Sequence, residues 1–287
     1  MNKYCIMTDS SADIPSKMAE ELSIEVLQLE VLVDGDVSKA NKDIDEKDFY
    51  AKLREKKNAI TSAVSIDKFL IYMEKILAEG NDLLYLGFSS ALSGTYNAGF
   101  VAAKELSEKY PDRKIYTVDT LAASMGEGLL VYLAAKKKEA GASIEEVRDY
   151  VESNKLHLCH WFTVDDLFFL KRGGRVSSAT AIMGTMLSIK PVMHVDNAGR
   201  LINVSKARGR KNSIDELFER MKATAIDPAD QTVFISHGDC AEDAEYLASR
   251  IKNELSVKNI VISYVGPVIG AHSGPGTLAL FFLGSER

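Results

Sequence analysis

The chain has 287 residues, of which 46% are hydrophobic, and it carries a formal net charge of −6. This length suits two domains of ordinary size, and the negative charge gives no general attraction to nucleic acid or to an anionic membrane surface. The three cysteines are scattered without a C-x-x-C pair, so we predict neither a disulfide framework nor a metal site, and expect a cytoplasmic protein that handles a small molecule.

Apolar runs and amphipathic stretches alternate along the first half of the chain. The predicted strands cover residues 4–7, 24–32, 83–88 and 114–120, and the predicted helices cover residues 43–55, 66–78, 126–140 and 144–154, with a further helix beginning near Tyr96. Such alternation is typical of a parallel sheet, whose ligands bind beyond the carboxyl ends of its strands. Hydroxyl-rich loops at residues 8–13, 61–65 and 89–95 are predicted at that edge. We therefore predict a Rossmann-like N-terminal α/β domain over residues 1–154.

The stretch Leu83–Tyr96 carries the main prediction of a ligand site in this domain. An apolar strand ends abruptly, four hydroxyl side chains follow within seven residues, and a helix then begins. Gly94 would let a ligand approach the backbone closely. Free amide groups and the positive end of the helix dipole would hold a carboxylate or phosphate there. Serine and threonine are also ordinary helix N-caps, so the purely structural interpretation stays open.

The second half, residues 155–287, is predicted to form another α/β domain. It opens with the largely apolar run 160–164; residues 232–239 are predicted to form a strand and then a polar turn, further strands cover residues 260–265 and 278–283, and the predicted helices cover residues 213–222 and 241–255. The late apolar run 278–283 is far too short to span a bilayer, so no stable membrane insertion is expected.

Three features of the second half suggest contact with a ligand or a partner. Arg172 and Arg175 flank a Gly-Gly pair, where they would bind a planar anion or simply remain solvated after a helix C-cap. Arg208 lies in a basic run between a strand and a helix. His272 lies in a glycine-rich segment beside a serine, which we interpret as a turn that presents a functional imidazole.

The methionine-rich stretch 178–193 has two interpretations. Its apolar residues recur at helical spacing, which is typical of a buried core. Methionine is also flexible and polarisable, so the same side chains would suit a tunnel for acyl chains of different shapes. The candidates for such a tunnel are Ile182, Met183, Met186 and Leu187.

Taken together, these motifs resemble the DegV family of bacterial fatty-acid-binding proteins, some of which are the acyl-carrying subunit of fatty acid kinase. The resemblance covers nearly the whole chain. It rests on five motifs that occur in order, namely Thr8–Asp13, Ser89–Tyr96, Leu170–Ser177, Lys190-Pro191 and Ile269–Gly276.

The resemblance implies that one fatty acid, such as palmitate, stearate or oleate, lies in a tunnel between two α/β domains. It implies carboxylate contacts from Thr61, Ser62, Ser93, Gly94 and His272, and a surface for the catalytic subunit of the kinase, or for the transferred phosphate, at Arg172, Arg175 and Arg208. One departure concerns Ala63-Val64, where the family usually has Gln-Pro. The chain is expected to be monomeric and to need no cofactor and perform no catalysis alone.

Two alternatives assign chemistry to this chain itself. A serine hydrolase would use Ser93 or Ser89 with His272 or His237, although the second glycine of a nucleophile elbow is missing after Ser89. A phosphoryl-transfer enzyme would use the hydroxyl loops for phosphate, although no Walker-type loop follows any predicted strand.

Overall fold

Three β-sheets organise the residues that the computed structural model describes, 3–177 and 188–287. In chain order the strands are β1 (Tyr4–Asp9), β2 (Ile24–Leu27), β3 (Glu30–Val33), β4 (Lys39–Ala40), β5 (Ala59–Ser62), β6 (Asp82–Gly87), β7 (Ile115–Asp119), β8 (Leu158–Thr163), β9 (Ile189–Val195), β10 (Leu201–Arg208), β11 (Thr232–His237), β12 (Asn259–Tyr264) and β13 (Leu278–Leu283). The described helices are α1 (Ser16–Glu21), α2 (Glu46–Arg54), α3 (Ile66–Ala78), α4 (Thr95–Lys109), α5 (Met125–Glu139), α6 (Ile144–Asn154), α7 (Phe168–Arg172), α8 (Arg210–Thr224), α9 (Ala241–Leu255) and α10 (Pro267–Ser273).

The first sheet is parallel throughout, with strand order β2-β1-β6-β7. Alternate residues of β6 enter different cores: Leu83 and Tyr85 pack with α3 and α4, whereas Leu84 and Leu86 pack with α5 and α6. Helices on both faces explain why β6 is buried along its whole length and apolar from Leu83 to Leu86. The predicted parallel α/β arrangement is therefore confirmed.

The second sheet is mixed, with order β10-β9-β8-β13-β11-β12. β11 and β12 are parallel, and the other neighbours are antiparallel. One face packs against α8 and α9, and the other packs against α5. The two large sheets use residues on either side of position 154, but the division into domains there stays a prediction. Within the described ranges, each helix is too short or too polar to cross a bilayer.

The small third sheet, ordered β4-β3-β5, corrects two sequence predictions. Residues 24–32 form two strands in different sheets instead of one. The N–H group of Leu29 bonds to the hydroxyl of Ser10 at 3.0 Å, which takes the chain out of the parallel ladder. The hydroxyl cluster at 61–65 was also expected beyond a parallel strand, yet Thr61 and Ser62 lie on antiparallel β5.

The prediction that His272 lies in a turn is wrong, because the residue belongs to helix α10. Pro267 opens this helix, where its missing N–H group costs nothing. Gly270 acts as a spacer, because a Cβ atom there would lie 2.6 Å from the hydroxyl oxygen of Tyr50. The glycines that suggested a turn therefore include one that lets a helix pack closely.

Helix α5 lies between the two large sheets and is buried on nearly all sides between Met125 and Ala135. Two glycines permit the close contact. A Cβ atom on Gly126 would lie 2.2 Å from Nε2 of His160 on β8, and one on Gly128 would lie 2.5 Å from the backbone oxygen of Ala12. Because real Cβ atoms do not approach so closely, any side chain at either position would move α5 away from its neighbours.

We expect Gly128→Ala to lower the free energy of unfolding by about 2 kcal/mol, the typical effect of overpacking against atoms that cannot move aside. Urea unfolding followed by circular dichroism measures this change. Gly94→Ala is the matched stability control, because Gly94 has φ of −73° and a Cβ atom added there would meet no atom within 4 Å. Equal stability of the two variants would contradict the close contact of α5.

Candidate functional site

A cavity of about 270 Å³ lies where the loops after β6 and the start of α5 meet β8, β11 and β13. Apolar side chains form most of its wall, with smaller polar groups at defined places. The larger apolar residues of the wall are Leu29, Phe88, Leu92, Phe162, Leu170, Val195, Leu201, Val265, Val268, Ile269 and Phe281. Such a cavity favours a ligand with a long apolar part.

One polar part of the wall, here called the head-group cluster, consists of Thr61, Ser93, Gly94, Arg175 and His272. Strand β5, the start of α4, the turn after α7 and helix α10 bring these residues together. Thr61 Oγ1 and His272 Nε2 lie 2.8 Å apart and share a hydrogen bond. Arg175 Nε donates to the backbone oxygen of Leu92 at 3.1 Å, which holds the guanidinium beside the loop that carries Ser93.

His272 is neutral at physiological pH. Burial lowers the pKa of its imidazole to about 4, and the positive charges of Arg175 and Arg172 act in the same direction. Gly173 leaves the room for the ring, since a Cβ atom there would lie 2.3 Å from His272 Nδ1. Gly173, between the two arginines, is thus a spacer for a neutral imidazole in an electropositive environment, whereas a Cβ atom on Gly174 would meet no atom and this glycine instead has a positive φ of 75°.

The start of α4 adds a second source of positive potential. Thr95 N–H donates to Ser93 Oγ at 3.2 Å, and the hydroxyls of these two residues lie 2.9 Å apart. Gly94 precedes the helix and is exposed. The helix dipole and the free amide groups of the first turn therefore lie beside the cavity, where they favour an anion.

The remaining predicted site residues are less closely associated with the cavity. Ser62 is exposed on β5 and is not among the residues that line the cavity. Arg172 is exposed and donates to Asn58 Oδ1 at 2.6 Å, and Arg208 is exposed at the end of β10. The tunnel candidates Ile182, Met183, Met186 and Leu187 lie outside the described residues. The functional roles of all these residues stay predictions.

Sequence reasoning missed a second polar part of the wall, here called the polar wall, formed by Ser124, His160 and Ser236. Ser124 Oγ donates to Asp13 Oδ2 at 2.5 Å and lies 3.1 Å from Ser236 Oγ. The signal in the sequence was weak, because single polar residues in apolar strands are usually core residues with satisfied hydrogen bonds.

The serine–histidine pair of the hydrolase alternative is not formed among the described residues. Ser89 Oγ donates to the backbone oxygen of Gly199 at 2.9 Å, and Ser93 pairs with Thr95. His237 Nδ1 accepts the N–H group of Cys240, while His272 pairs with Thr61. Neither serine thus has the adjacent base that nucleophilic catalysis needs.

These features define an α/β protein with an internal apolar cavity and a polar, electropositive cluster at its wall. The model of the family described as "Uncharacterised protein, DegV family" matches residues 3–285, and the chain belongs to the DegV family. The resemblance found in the sequence motifs is therefore confirmed.

The similar proteins match over essentially their full lengths. A DegV domain-containing protein of Clostridium perfringens is 49% identical over 289 residues, which cover 100% of this chain and 99% of the relative. A structure from Thermus thermophilus, described as fatty acid binding of a DegV family protein, has a TM-score of 0.88 and 31% identity, covering 98% of this chain and 99% of the other. A Thermotoga maritima protein, whose structure is described as revealing a fatty acid binding function, has a TM-score of 0.84 and 31% identity with the same coverage.

Because His272 is neutral in the folded protein, we expect the free energy of unfolding to depend on pH in a specific way. Its pKa in the folded protein lies below the ordinary value, so the unfolded chain binds the proton more readily. Stability from this residue is therefore full above about pH 6.5 and is lost as the pH falls toward about 4. We expect the wild type to lose about 2–3 kcal/mol more than His272→Gln between about pH 7 and pH 4.

Urea unfolding of both ligand-free proteins at several pH values measures that difference. Comparing the two proteins cancels the contributions of other buried groups, such as Asp13, whose raised pKa acts in the opposite direction. Parallel stability curves for the two proteins would show that His272 is not a buried neutral imidazole.

Proposed function

We propose that this chain binds one long-chain fatty acid, with the acyl chain in the cavity and the carboxylate at the head-group cluster. The observation that carries the proposal is the combination of an apolar cavity with neutral hydrogen-bonding groups and a nearby cation in one part of its wall. The fatty acid binding described for the Thermus and Thermotoga relatives supports the same function.

Burial of the acyl chain supplies most of the binding free energy. Removing about sixteen carbons from water at roughly 0.8 kcal/mol per methylene gives on the order of 10 kcal/mol before the losses of association. This gain is sufficient for tight binding even if the carboxylate contributes little net affinity. The polar contacts then fix the orientation of the ligand.

The carboxylate needs a complete set of hydrogen-bond donors once it leaves water. If His272 carries its proton on Nε2, the imidazole donates to Thr61 Oγ1, and the Thr61 hydroxyl proton is free to point to the ligand. Ser93 and the first amides of α4 supply further donors. Ser62 is the least well placed member of the predicted set, because successive side chains of a strand point to opposite faces.

We further propose that the protein presents the bound carboxylate to the catalytic subunit of a fatty acid kinase. A carboxylate oxygen would bond to the terminal phosphorus of the nucleotide on that partner, with loss of the nucleoside diphosphate, to give an acyl phosphate. The exposure of Gly94 supports this role because the partner must reach the carboxylate. Arg172 and Arg208 are exposed cations that suit a partner surface, and Arg175 lies at the cavity itself.

We expect the purified protein to carry a fatty acid acquired from the cells that produce it, because a largely apolar cavity binds available lipid. Mass spectrometry of an organic extract, quantified against protein, should give about one fatty acid per chain. Absence of lipid, together with no uptake of added oleate or palmitate, would contradict the proposed function.

Removal of one hydroxyl from the head-group cluster should weaken fatty acid binding. Each of Thr61→Val and Ser93→Ala deletes a hydrogen bond to a charged group, and we expect a loss of affinity of about 10- to 100-fold. Displacement of a fluorescent fatty acid from delipidated protein measures the change. The same variants should reduce acyl phosphate formation when a fatty acid kinase catalytic subunit is supplied.

Ser213→Ala provides the matched control for these variants. Ser213 is a fully buried serine of α8 whose hydroxyl donates to the backbone oxygen of Arg210, and it does not line the cavity. Wild-type affinity in both Thr61→Val and Ser93→Ala would remove the head-group cluster from the carboxylate site.

A further inference from the structure

His160 of β8 and Ser236 of β11 are polar residues on the part of the sheet face that lines the cavity. Phe162 of β8 pairs in register with Ala279 of β13, and the next positions on this face pair His160 with Phe281. Ala279 in turn pairs with Ser236 of β11. All five residues line the cavity. A wall built only to hold a hydrocarbon chain needs no imidazole or hydroxyl here, because each polar group raises the cost of a dry contact.

His160 has a hydrogen-bond donor without a partner. The residue is almost completely buried, with a relative exposure of only 2%. Its Nε2 atom accepts the N–H group of Ala123 at 3.4 Å, so the proton of the neutral ring lies on Nδ1. No acceptor among the described residues lies within hydrogen-bond distance of that Nδ1 atom, although the backbone of Leu158 is near enough to favour the protonated ring. Burial lowers the pKa of His160 well below its ordinary range, which keeps the ring neutral.

The hydroxyl group of Ser236 can form a further hydrogen bond, either as a donor or as an acceptor. Its hydroxyl has one donor and two acceptor sites, and its side-chain partner is Ser124, which is itself bonded to Asp13. Burial raises the pKa of Asp13 to about 7. If Asp13 is ionised, the hydroxyl protons point toward it and Ser236 presents lone pairs; if Asp13 is protonated, the chain reverses and Ser236 has a proton to donate.

We propose that the cavity takes a fatty acid whose acyl chain bears a hydroxyl group, and that the polar wall of Ser124, His160 and Ser236 binds this hydroxyl. The inference rests on the proposed function and specifies the substrate class of the same cavity. A plain hydrocarbon chain leaves the Nδ1–H donor of His160 unpaired, whereas a hydroxyl oxygen accepts it.

The chemistry of the wall favours a neutral hydroxyl over a second charged group. Asp13 lies directly behind Ser124 and would repel another carboxylate whenever it is ionised. His160 is neutral and offers an imidazole donor without a full positive charge. The hydrogen bonds from Asp13 through Ser124 to Ser236 can run in either direction. A ligand hydroxyl fits both arrangements, because it can donate to Ser236 or accept from it.

The decisive experiment compares stearate with a series of monohydroxystearates in which the hydroxyl moves stepwise along the chain. Delipidated full-length protein is titrated with each acid by competition against a fluorescent fatty acid. We expect at least one isomer to bind about tenfold more tightly than stearate, with affinity falling as the hydroxyl moves away in either direction. Isothermal titration calorimetry of the best isomer confirms one site per chain.

Ser236→Ala and His160→Phe test which side chains provide the preference. Each should reduce the preference for the best isomer over stearate to about twofold or less, and because the preference is a ratio measured within one variant, a general change in affinity for both acids cancels. Ser213→Ala should keep the full preference. The comparison of ligands on the wild-type protein needs neither variant to fold.

The outcomes separate the two proposals. Stearate binding as tightly as every hydroxylated isomer overturns the polar-wall proposal and leaves fatty acid binding intact. Failure of stearate and all isomers to bind overturns the proposed function itself. A preference that survives in both Ser236→Ala and His160→Phe also overturns the assignment to the polar wall.

Discussion

The close contact of α5 with both large sheets is the constraint on which the rest of the structure depends. The helix is buried on nearly all sides between Met125 and Ala135, and Gly126 and Gly128 let it approach His160 and the backbone of Ala12. Because α5 begins at the cavity, the same contact brings Ser124 between Asp13 and Ser236. Packing of one helix therefore closes the core and also sets the polar groups of one cavity wall.

The two polar parts of the cavity wall differ in their electrostatic character. The head-group cluster has a neutral imidazole beside Arg175 and the start of α4, which favours an anion without burying a full ion pair. The polar wall consists of uncharged groups, and the carboxyl group of Asp13 behind Ser124 is also uncharged when it is protonated. Groups of this second kind tolerate an uncharged chain and discriminate among chains by hydrogen bonding alone.

Local patterns predicted what depends on short stretches of sequence. The parallel sheet followed from alternating apolar runs, and the loop after β6 was located because its hydroxyls and Gly94 directly follow a buried strand. Features that depend on distant contacts were not predictable in this way. Nothing near Gly270 indicates that Tyr50 packs against it, so the segment around His272 resembled a turn. Ser236 was overlooked because Ser124, to which its hydroxyl bonds, is far away in sequence.

The Arg-Gly-Gly-Arg motif illustrates how such distant constraints become visible as local sequence. Gly173 is required by the ring of His272, almost one hundred residues later, because a Cβ atom would overlap Nδ1. The flanking arginines help to keep that ring neutral, and the ring in turn bonds to Thr61. The Arg-Gly-Gly-Arg motif and the segments around His272 and Thr61 are each weak signals in the sequence, but in the structure they contact one another and form one unit. A change at Gly173 would displace the imidazole, release Thr61 and so alter the head-group cluster, although Gly173 is not itself a member of that cluster.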